Sequence, residues 1–195
     1  MRVIVGISGA SGAIYGIRLL ERLRDREEVE THLVISRAGR ITLELETELS
    51  PTDVERLADV THSPGDIAAP IASGSFPIDA MVVAPCSMKT LSAIVHSYSD
   101  DLLSRAADVM LKEGRKLILM PRETPLHLGH LRLLTQAAEM GARICPPVPA
   151  FYNQPETIDD IVQHSLGRVL DLLGLDADFV RRWGGPPPRS GPAES

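Results

Sequence analysis

Apolar residues along this chain alternate between two rhythms. Arg2–Ile7 is an unbroken, largely β-branched run of strand length; after a short stretch of small residues (8–12), apolar side chains recur at Ala13, Ile17, Leu20 and Leu23 with helical spacing. Further strand-length runs fall at 31–35, 80–84, 116–120 and 142–145. Helical patterns occupy 39–48, 54–60, 93–96, 102–110, 128–140 and 158–173. Pro51 breaks the chain before the short third helix, for which Thr52 is the expected cap, and Pro85 and Pro121 are expected to close the strands they follow. Residues 61–78 are rich in Ser, Gly, Pro and Ala and read as one long surface loop. A chain that repeats strand then helix folds through right-handed parallel crossovers. The expected fold is therefore α/β: a three-layer, doubly wound, mostly parallel sheet of the Rossmann-like kind, over 1–185, with a low-complexity tail expected to be disordered at 186–195.

In such sheets ligands bind outside the carboxyl ends of the strands. Four strand ends carry suggestive groups: the turn from Ser8 to Ser11, Ser36, the stretch from Pro85 to Thr90, and Pro121-Arg122-Glu123. They are expected to converge on one crevice. The first of these turns leads into a helix N-terminus, where small residues and backbone N–H groups suit a phosphate, with the Ser11 hydroxyl as a further donor. It lacks the dinucleotide fingerprint and the Gly-Lys-Ser/Thr of a Walker loop.

Composition narrows the functional classes. The chain has 195 residues, 44% hydrophobic and 24% charged, as expected of a soluble globular domain. With 20 basic against 26 acidic residues the net charge is −6, which leaves no electrostatic footprint for nucleic acid, so an anionic ligand must be held by a few placed cations. No apolar run is long enough to span a bilayer and the N-terminal segment lacks signal-peptide architecture, making the cytoplasm the expected compartment. Cys86 and Cys145 stand far apart, and the histidines lack metal-ligand spacing, so no metal is assigned.

Among the cations, Arg122 follows directly on a buried strand and a proline, a place where an arginine tends to meet an anion. Arg105 and Lys112 share a helix face, but with Asp101 and Asp108 they also form the alternating ladder of a solvated surface. Taken singly, Glu46, Tyr152 and Arg168 read as surface or packing residues.

Together, the stretches GISGASGAIYG, SRAGRITLELETE, ASGSF, PCSMKTLS, RAADVMLKEGRKLILMPRETPLHLGHL and PPVPAFYNQP, closed by Arg181-Arg182-Trp183, resemble the flavin prenyltransferase (UbiX-type) family of flavoproteins over nearly the whole chain. The resemblance implies an enzyme that joins a dimethylallyl group from dimethylallyl monophosphate to N5 and C6 of reduced FMN without a metal, giving prenylated FMN for a UbiD-type decarboxylase. It implies that Gly9, Ala10, Ser11, Ser36, Ser87, Met88, Lys89, Thr90 and Arg122 hold FMN. Lys112, Arg122, Tyr152 and Arg168 would grip the substrate phosphate; Glu46 and Ser11 would handle protons, and Arg105 and Trp183 would lie near the site, with Trp183 and loop 61–78 as covers. Lys112 is also implied in catalysis, as one of the cations that draw the phosphate away. The family further implies a homo-oligomer, a dodecamer, with sites at subunit contacts. Ile67 and Ala68 stand where some members carry an aromatic residue near the flavin. Two other readings stay open at this point: an FMN-binding accessory subunit without chemistry of its own, and a flavoprotein cysteine decarboxylase, which would call for an Asn where this chain has Pro85-Cys86-Ser87-Met88.

Overall fold

Six strands, β1 (Arg2–Ile7), β2 (Glu30–Ile35), β3 (Val60–His62), β4 (Ala80–Cys86), β5 (Lys116–Pro121) and β6 (Arg143–Ile144), form one sheet in the order β3-β2-β1-β4-β5-β6, every pair parallel. This computed structural model describes residues 1–180 and 182–185; the tail expected at 186–195 lies outside the described residues. Among the described residues seven α-helices connect and cover the strands: α1 (Ala13–Arg24), α2 (Arg37–Glu46), α3 (Pro51–Glu55), α4 (Met88–Val95), α5 (Leu102–Lys112), α6 (Leu128–Glu139) and α7 (Ile158–Leu173). From β1 the chain winds outward through β2 to β3, then returns to the other side of β1 and winds outward again, so the order reverses between β1 and β4.

Alternation along β1 explains the three layers. Val3, Val5 and Ile7 pack with α1 and α7 in one core, while Ile4 joins the other, built on α4, α5 and α6. Both faces being covered, β1 and β4 read as continuous apolar runs in the sequence.

Three expectations are corrected. Residues 60–62 form β3, an edge strand paired with β2, where the sequence predicts the end of a helix and the start of a loop. The short helix begins at Pro51 and is capped by Ser50, whose hydroxyl accepts the Asp53 N–H while the Asp53 carboxylate accepts the Ser50 N–H. Strands β4 and β5 run through Pro85 and Pro121 instead of stopping before them. Pro85 cannot donate to the ladder, and the β4–β5 register shifts between Val83 and Cys86 to accommodate it.

The unforeseen β3 brings His62 against His32. The two rings stack with centroids 5.2 Å apart, His32 Nδ1 lies 2.9 Å from His62 Nε2, and His32 Nε2 lies 3.1 Å from a Glu30 carboxylate oxygen. Burial pushes both imidazoles below the ordinary 6.5; Glu30 opposes this at His32 while Arg2 adds to it, and at His62 the neighbouring His32 adds to it while Asp66 opposes. A histidine whose folded pKa is depressed takes up its proton more readily in the unfolded chain. Its contribution to stability is therefore whole above pH 6.5 and is lost as pH falls from there through the folded value. We expect Tm to drop as pH falls below 6.5, and His62→Gln to flatten that drop, in thermal denaturation at stepped pH.

Candidate active site

The carboxyl ends of β1 and β4 are tied together by one buried hydroxyl. Ser8 Oγ donates to the Pro85 carbonyl (2.8 Å) and accepts the Ser87 N–H (2.8 Å), which fixes the turn after β1 against the turn after β4 where the strand order reverses. Ala10 closes the first turn by donating its N–H to the Ser8 carbonyl (2.9 Å). Gly9 is required there because a Cβ would collide with that of Ala38, so the turn lies directly on α2.

Glu46, the last residue of α2, reaches back to the N-terminus of α1. One carboxylate oxygen accepts the N–H groups of Gly12 (2.8 Å) and Ala13 (3.1 Å). Burial works to raise this carboxyl, but the Ser11 hydroxyl, the Gly12 and Ala13 amides and the charge of Arg122 outweigh it and hold it below the usual carboxylate range. The sequence reading leaves this helix N-terminus open to a phosphate; in the structure an internal carboxylate holds two of its donors. Arg122 completes the cluster. Its backbone N–H is anchored on the Cys86 carbonyl and its Nε donates to the Ser11 carbonyl (3.1 Å), while its two terminal nitrogens have no partner among the described residues.

Beside this cluster opens a cavity of about 620 Å³, within the size range of cofactor sites, whose walls include Gly9, Ser36, Ser87, Met88, Lys89 and Thr90. Its base is the N-terminus of α4. The Ser87 hydroxyl caps that helix, accepting the Thr90 N–H (3.2 Å) and donating to the Thr90 hydroxyl (3.1 Å). The Met88 and Lys89 N–H groups of the first turn have no partner among the described residues, so here the helix end is open to an anion. Ser36 is present in the wall but its hydroxyl caps α2 through the Gly39 N–H (3.0 Å). Lys89 is held by Asp100 (3.2 Å) and Asp101 (3.6 Å). Those aspartates, Arg37 and Glu123 line the same cavity; of these only Glu123 belongs to a strand end that the sequence marks as suggestive. The sequence reads Asp101 only as part of the charge ladder along α5; the structure makes it the cap of that helix as well. Small residues, an open helix N-terminus and hydroxyl donors fit a phosphate-bearing cofactor such as FMN.

Tyr152 and Arg168 share a second cavity of about 350 Å³, with Trp183 and His164 in its wall. The Tyr152 ring stands edge-on to Trp183 (centroids 5.4 Å) and to His164 (5.5 Å), and its hydroxyl lies 2.9 Å from His164 Nε2. Arg168 is exposed, pairs with Asp171 (2.7 Å), and is close enough to the end of β6 to pull the Cys145 thiol down against the larger upward push of burial.

Lys112 and Arg105 are not brought to this place within one chain. Lys112 is the last residue of α5, at the amino ends of the strands beside Gly74, and pairs with Glu113; Asp101, at the other end of the same helix, borders the 620 Å³ cavity. An eleven-residue helix is about 16 Å long, which separates the two ends. Arg105 donates to the Ala72 carbonyl (3.2 Å) and pairs with Asp108 (2.9 Å), tying loop 61–78 to α5. The pocket that Lys112, Arg122, Tyr152 and Arg168 are expected to form is therefore not assembled by a single subunit.

Both cysteines are free thiols, and burial pushes Cys86 up to about 12, which makes it a packing residue. Among the described residues no group of three or more His, Cys, Asp and Glu is placed to hold a metal ion, and no helix is long and apolar enough to cross a membrane. A further cavity of about 590 Å³ lies at the amino ends of β1, β2 and β4, but Glu27, Glu28, Glu30, Asp59 and Asp79 line it and make it a poor host for an anion.

The Flavoprotein family model matches residues 1–170. The chain is 63% identical over 186 residues to the flavin prenyltransferase UbiX of Salmonella typhimurium, covering 94% of this chain and 98% of that one. Among solved structures it superposes on a dodecameric FMN-dependent UbiX-like decarboxylase from Escherichia coli O157:H7 with a TM-score of 0.94 at 55% identity, covering 95% of this chain and 100% of that one. It superposes on AnUbiX (PadA1), solved in complex with FMN and dimethylallyl pyrophosphate, with a TM-score of 0.92 at 51% identity, covering 94% and 97%. The family match over most of the chain and this level of identity over nearly all of it settle the kinship: the chain belongs to the Flavoprotein family and, within it, to the flavin prenyltransferases of the UbiX type.

Proposed function

We propose that this enzyme transfers the dimethylallyl group of dimethylallyl monophosphate to N5 and C6 of reduced FMN, releasing phosphate. The observation that carries the reading is the cluster of Arg122, Ser11 and Glu46 at the strand-order reversal, a cation and a carboxylate side by side, with Gly9 of the same turn and Glu123, the residue after Arg122, in the wall of a cofactor-sized cavity. FMN would lie in that cavity, held by the turn at Gly9, Ala10 and Ser11, by Ser36, and by the α4 N-terminus with Ser87, Met88, Lys89 and Thr90. Bound there in reduced form, it supplies the nucleophilic positions.

The chain's residues supply the rest. As the allylic C–O bond breaks, its electron pair leaves with the phosphate, and Arg122, Arg168 and the Tyr152 hydroxyl stabilise that growing charge, the role a metal plays in many prenyl transfers. Bonding the allyl carbon to N5 frees the N5 proton; closing the ring at C6 requires one proton delivered to the alkene, for which the N5 proton is the source, and one removed from C6. Glu46, kept ionised by the Gly12 and Ala13 amides, Ser11 and Arg122, would take the latter, and the departing phosphate is a second acceptor.

Because Lys112 and Arg105 lie away from the Ser11 turn of their own chain, we infer that they reach the phosphate across a subunit contact in a homo-oligomer, a dodecamer like the E. coli relative. Exposed apolar residues support such contacts: Ile41 and Leu45 on α2, Leu128 on α6, Phe151 beside Tyr152 and Ile158 on α7. In this reading the product serves a UbiD-type decarboxylase, and the free thiols suit a reducing compartment such as the cytoplasm.

The test is anaerobic incubation with reduced FMN and either dimethylallyl monophosphate or the diphosphate, followed by mass analysis of the flavin. A gain of one C5H8 unit with the monophosphate is expected, and an unchanged flavin mass with both donors would leave only a flavin-holding subunit.

A further inference from the structure

We propose that His164 is a positioning residue that turns the Tyr152 hydroxyl outward as a hydrogen-bond donor, making the Tyr152–Arg168 cavity an anion site. The proposal rests on the functional reading above and adds to it how the phosphate end of the substrate is received. His164 is 8% exposed, lies one helical turn before Arg168 on α7, and has Tyr152 as its hydrogen-bond partner among the described residues, 2.9 Å from Nε2. A buried imidazole needs such a partner, and satisfying His164 is the plainest account of the contact. The direction of the bond, however, has consequences beyond packing.

A phenol has one proton. If His164 Nε2 accepted it, Tyr152 would show only oxygen lone pairs to a cavity it shares with Arg168, and an anion drawn in by the guanidinium would meet repulsion. If Nε2 carries the hydrogen and donates, the phenolic proton is free to point into the cavity, and Tyr152 and Arg168 can bind one phosphate together. The geometry favours this role for the ring. Tyr152 is held between His164 and Trp183, edge-on to both at interplanar angles of 80° and 71°, so little besides the hydroxyl's own rotation remains to be set. Residues four apart on a helix face the same way, so α7 presents the orienting imidazole and the guanidinium to a single cavity.

Trp183 is the one tryptophan of the chain and touches Tyr152, so its fluorescence reports on this cavity without any flavin chemistry. The experiment titrates the full-length protein with inorganic phosphate by that fluorescence, and in parallel measures KM for dimethylallyl monophosphate and for reduced FMN. His164→Leu, which removes the donor, is expected to weaken phosphate binding and raise KM for the prenyl phosphate, each by about tenfold, with KM for the flavin unchanged. His164→Gln, whose amide N–H reaches the same place, should recover most of both. In a Tyr152→Phe background, itself weakened for phosphate, His164→Leu should add nothing.

Phosphate binding and KM insensitive to His164→Leu, equal losses in both backgrounds, a Gln variant no better than Leu, or no phosphate response in the unsubstituted protein would each overturn the proposal. Should His164→Leu fail to fold, the Gln and Tyr152→Phe variants still decide it. Failure of the functional reading looks different: phosphate would bind with the expected dependence on His164 while no prenylated flavin formed.

Discussion

Glu46→Gln is expected to slow prenyl transfer by at least about a hundredfold, the ordinary range for loss of a positioned proton acceptor, while reduced FMN still binds. The substitution keeps the shape and one acceptor oxygen, so the Gly12 and Ala13 N–H groups retain a partner, but it removes the negative charge that the α1 N-terminus, Ser11 and Arg122 together stabilise. Because solvent reaches this side chain, the stability cost should be small, about 1 kcal/mol or less. That cost has a pH signature. The folded carboxyl sits below its ordinary 4.5, so its contribution is present above pH 4.5 and is lost as pH falls through the folded value; the Tm gap between the two proteins should close over the same interval. Single-turnover mass analysis and a flavin titration separate the two effects. A Gln variant that still transfers the prenyl group within about threefold of the unsubstituted rate would remove Glu46 from proton transfer.

How much of this was readable beforehand differs between fold and site, and the reasons are physical. Strands buried on both faces write long apolar runs, so β1, β2, β4 and β5 were legible to within a residue or two. β3 was not, because three residues at a sheet edge, Val60, Thr61 and His62, carry too little periodicity to stand out from the Ser/Gly/Pro stretch after them. The sheet hydrogen bonds that define it are made to β2 across 28 positions of sequence, a distance no local pattern encodes.

The site was legible as four strand ends and little more. Local sequence tells which face of a helix a residue occupies but not which end of the sheet it approaches. From the residues alone Arg105 and Lys112 read as a solvated ladder, and only the resemblance grouped Lys112 with Arg122; within one chain α5 carries Lys112 away to the amino ends of the strands. Glu46 shows the reverse. A lone glutamate closing α2 reads as solvent-facing, and only the packing of α2 across the Gly9 turn, where Ala38 leaves no room for a Cβ, delivers it to the α1 amides. His164 was passed over because its spacing was tested for metal ligation alone. Its position four residues before Arg168 was the available signal.

Arg122→Leu is expected to lower transfer by about 10²–10³-fold, the usual cost of removing one preorganised donor from a developing negative charge, with the fold intact because the side chain is exposed and its single internal bond among the described residues is to the Ser11 carbonyl. The same arginine lowers the titration of both Glu46 and the buried Tyr15 phenol, which burial pushes up. Its removal therefore lets the Glu46 carboxyl rise, and the acid limb of the pH–rate profile should move toward neutrality. Arg122→Lys separates charge from geometry. An ammonium can face the phosphate or the Ser11 carbonyl but lacks the planar fork that serves both at once, so its rate should fall between those of the other two proteins, with an acid limb close to the unsubstituted one. Were the Leu variant to lose activity with no movement of the acid limb, the charge of Arg122 would not act on Glu46, and the two residues would have to work independently.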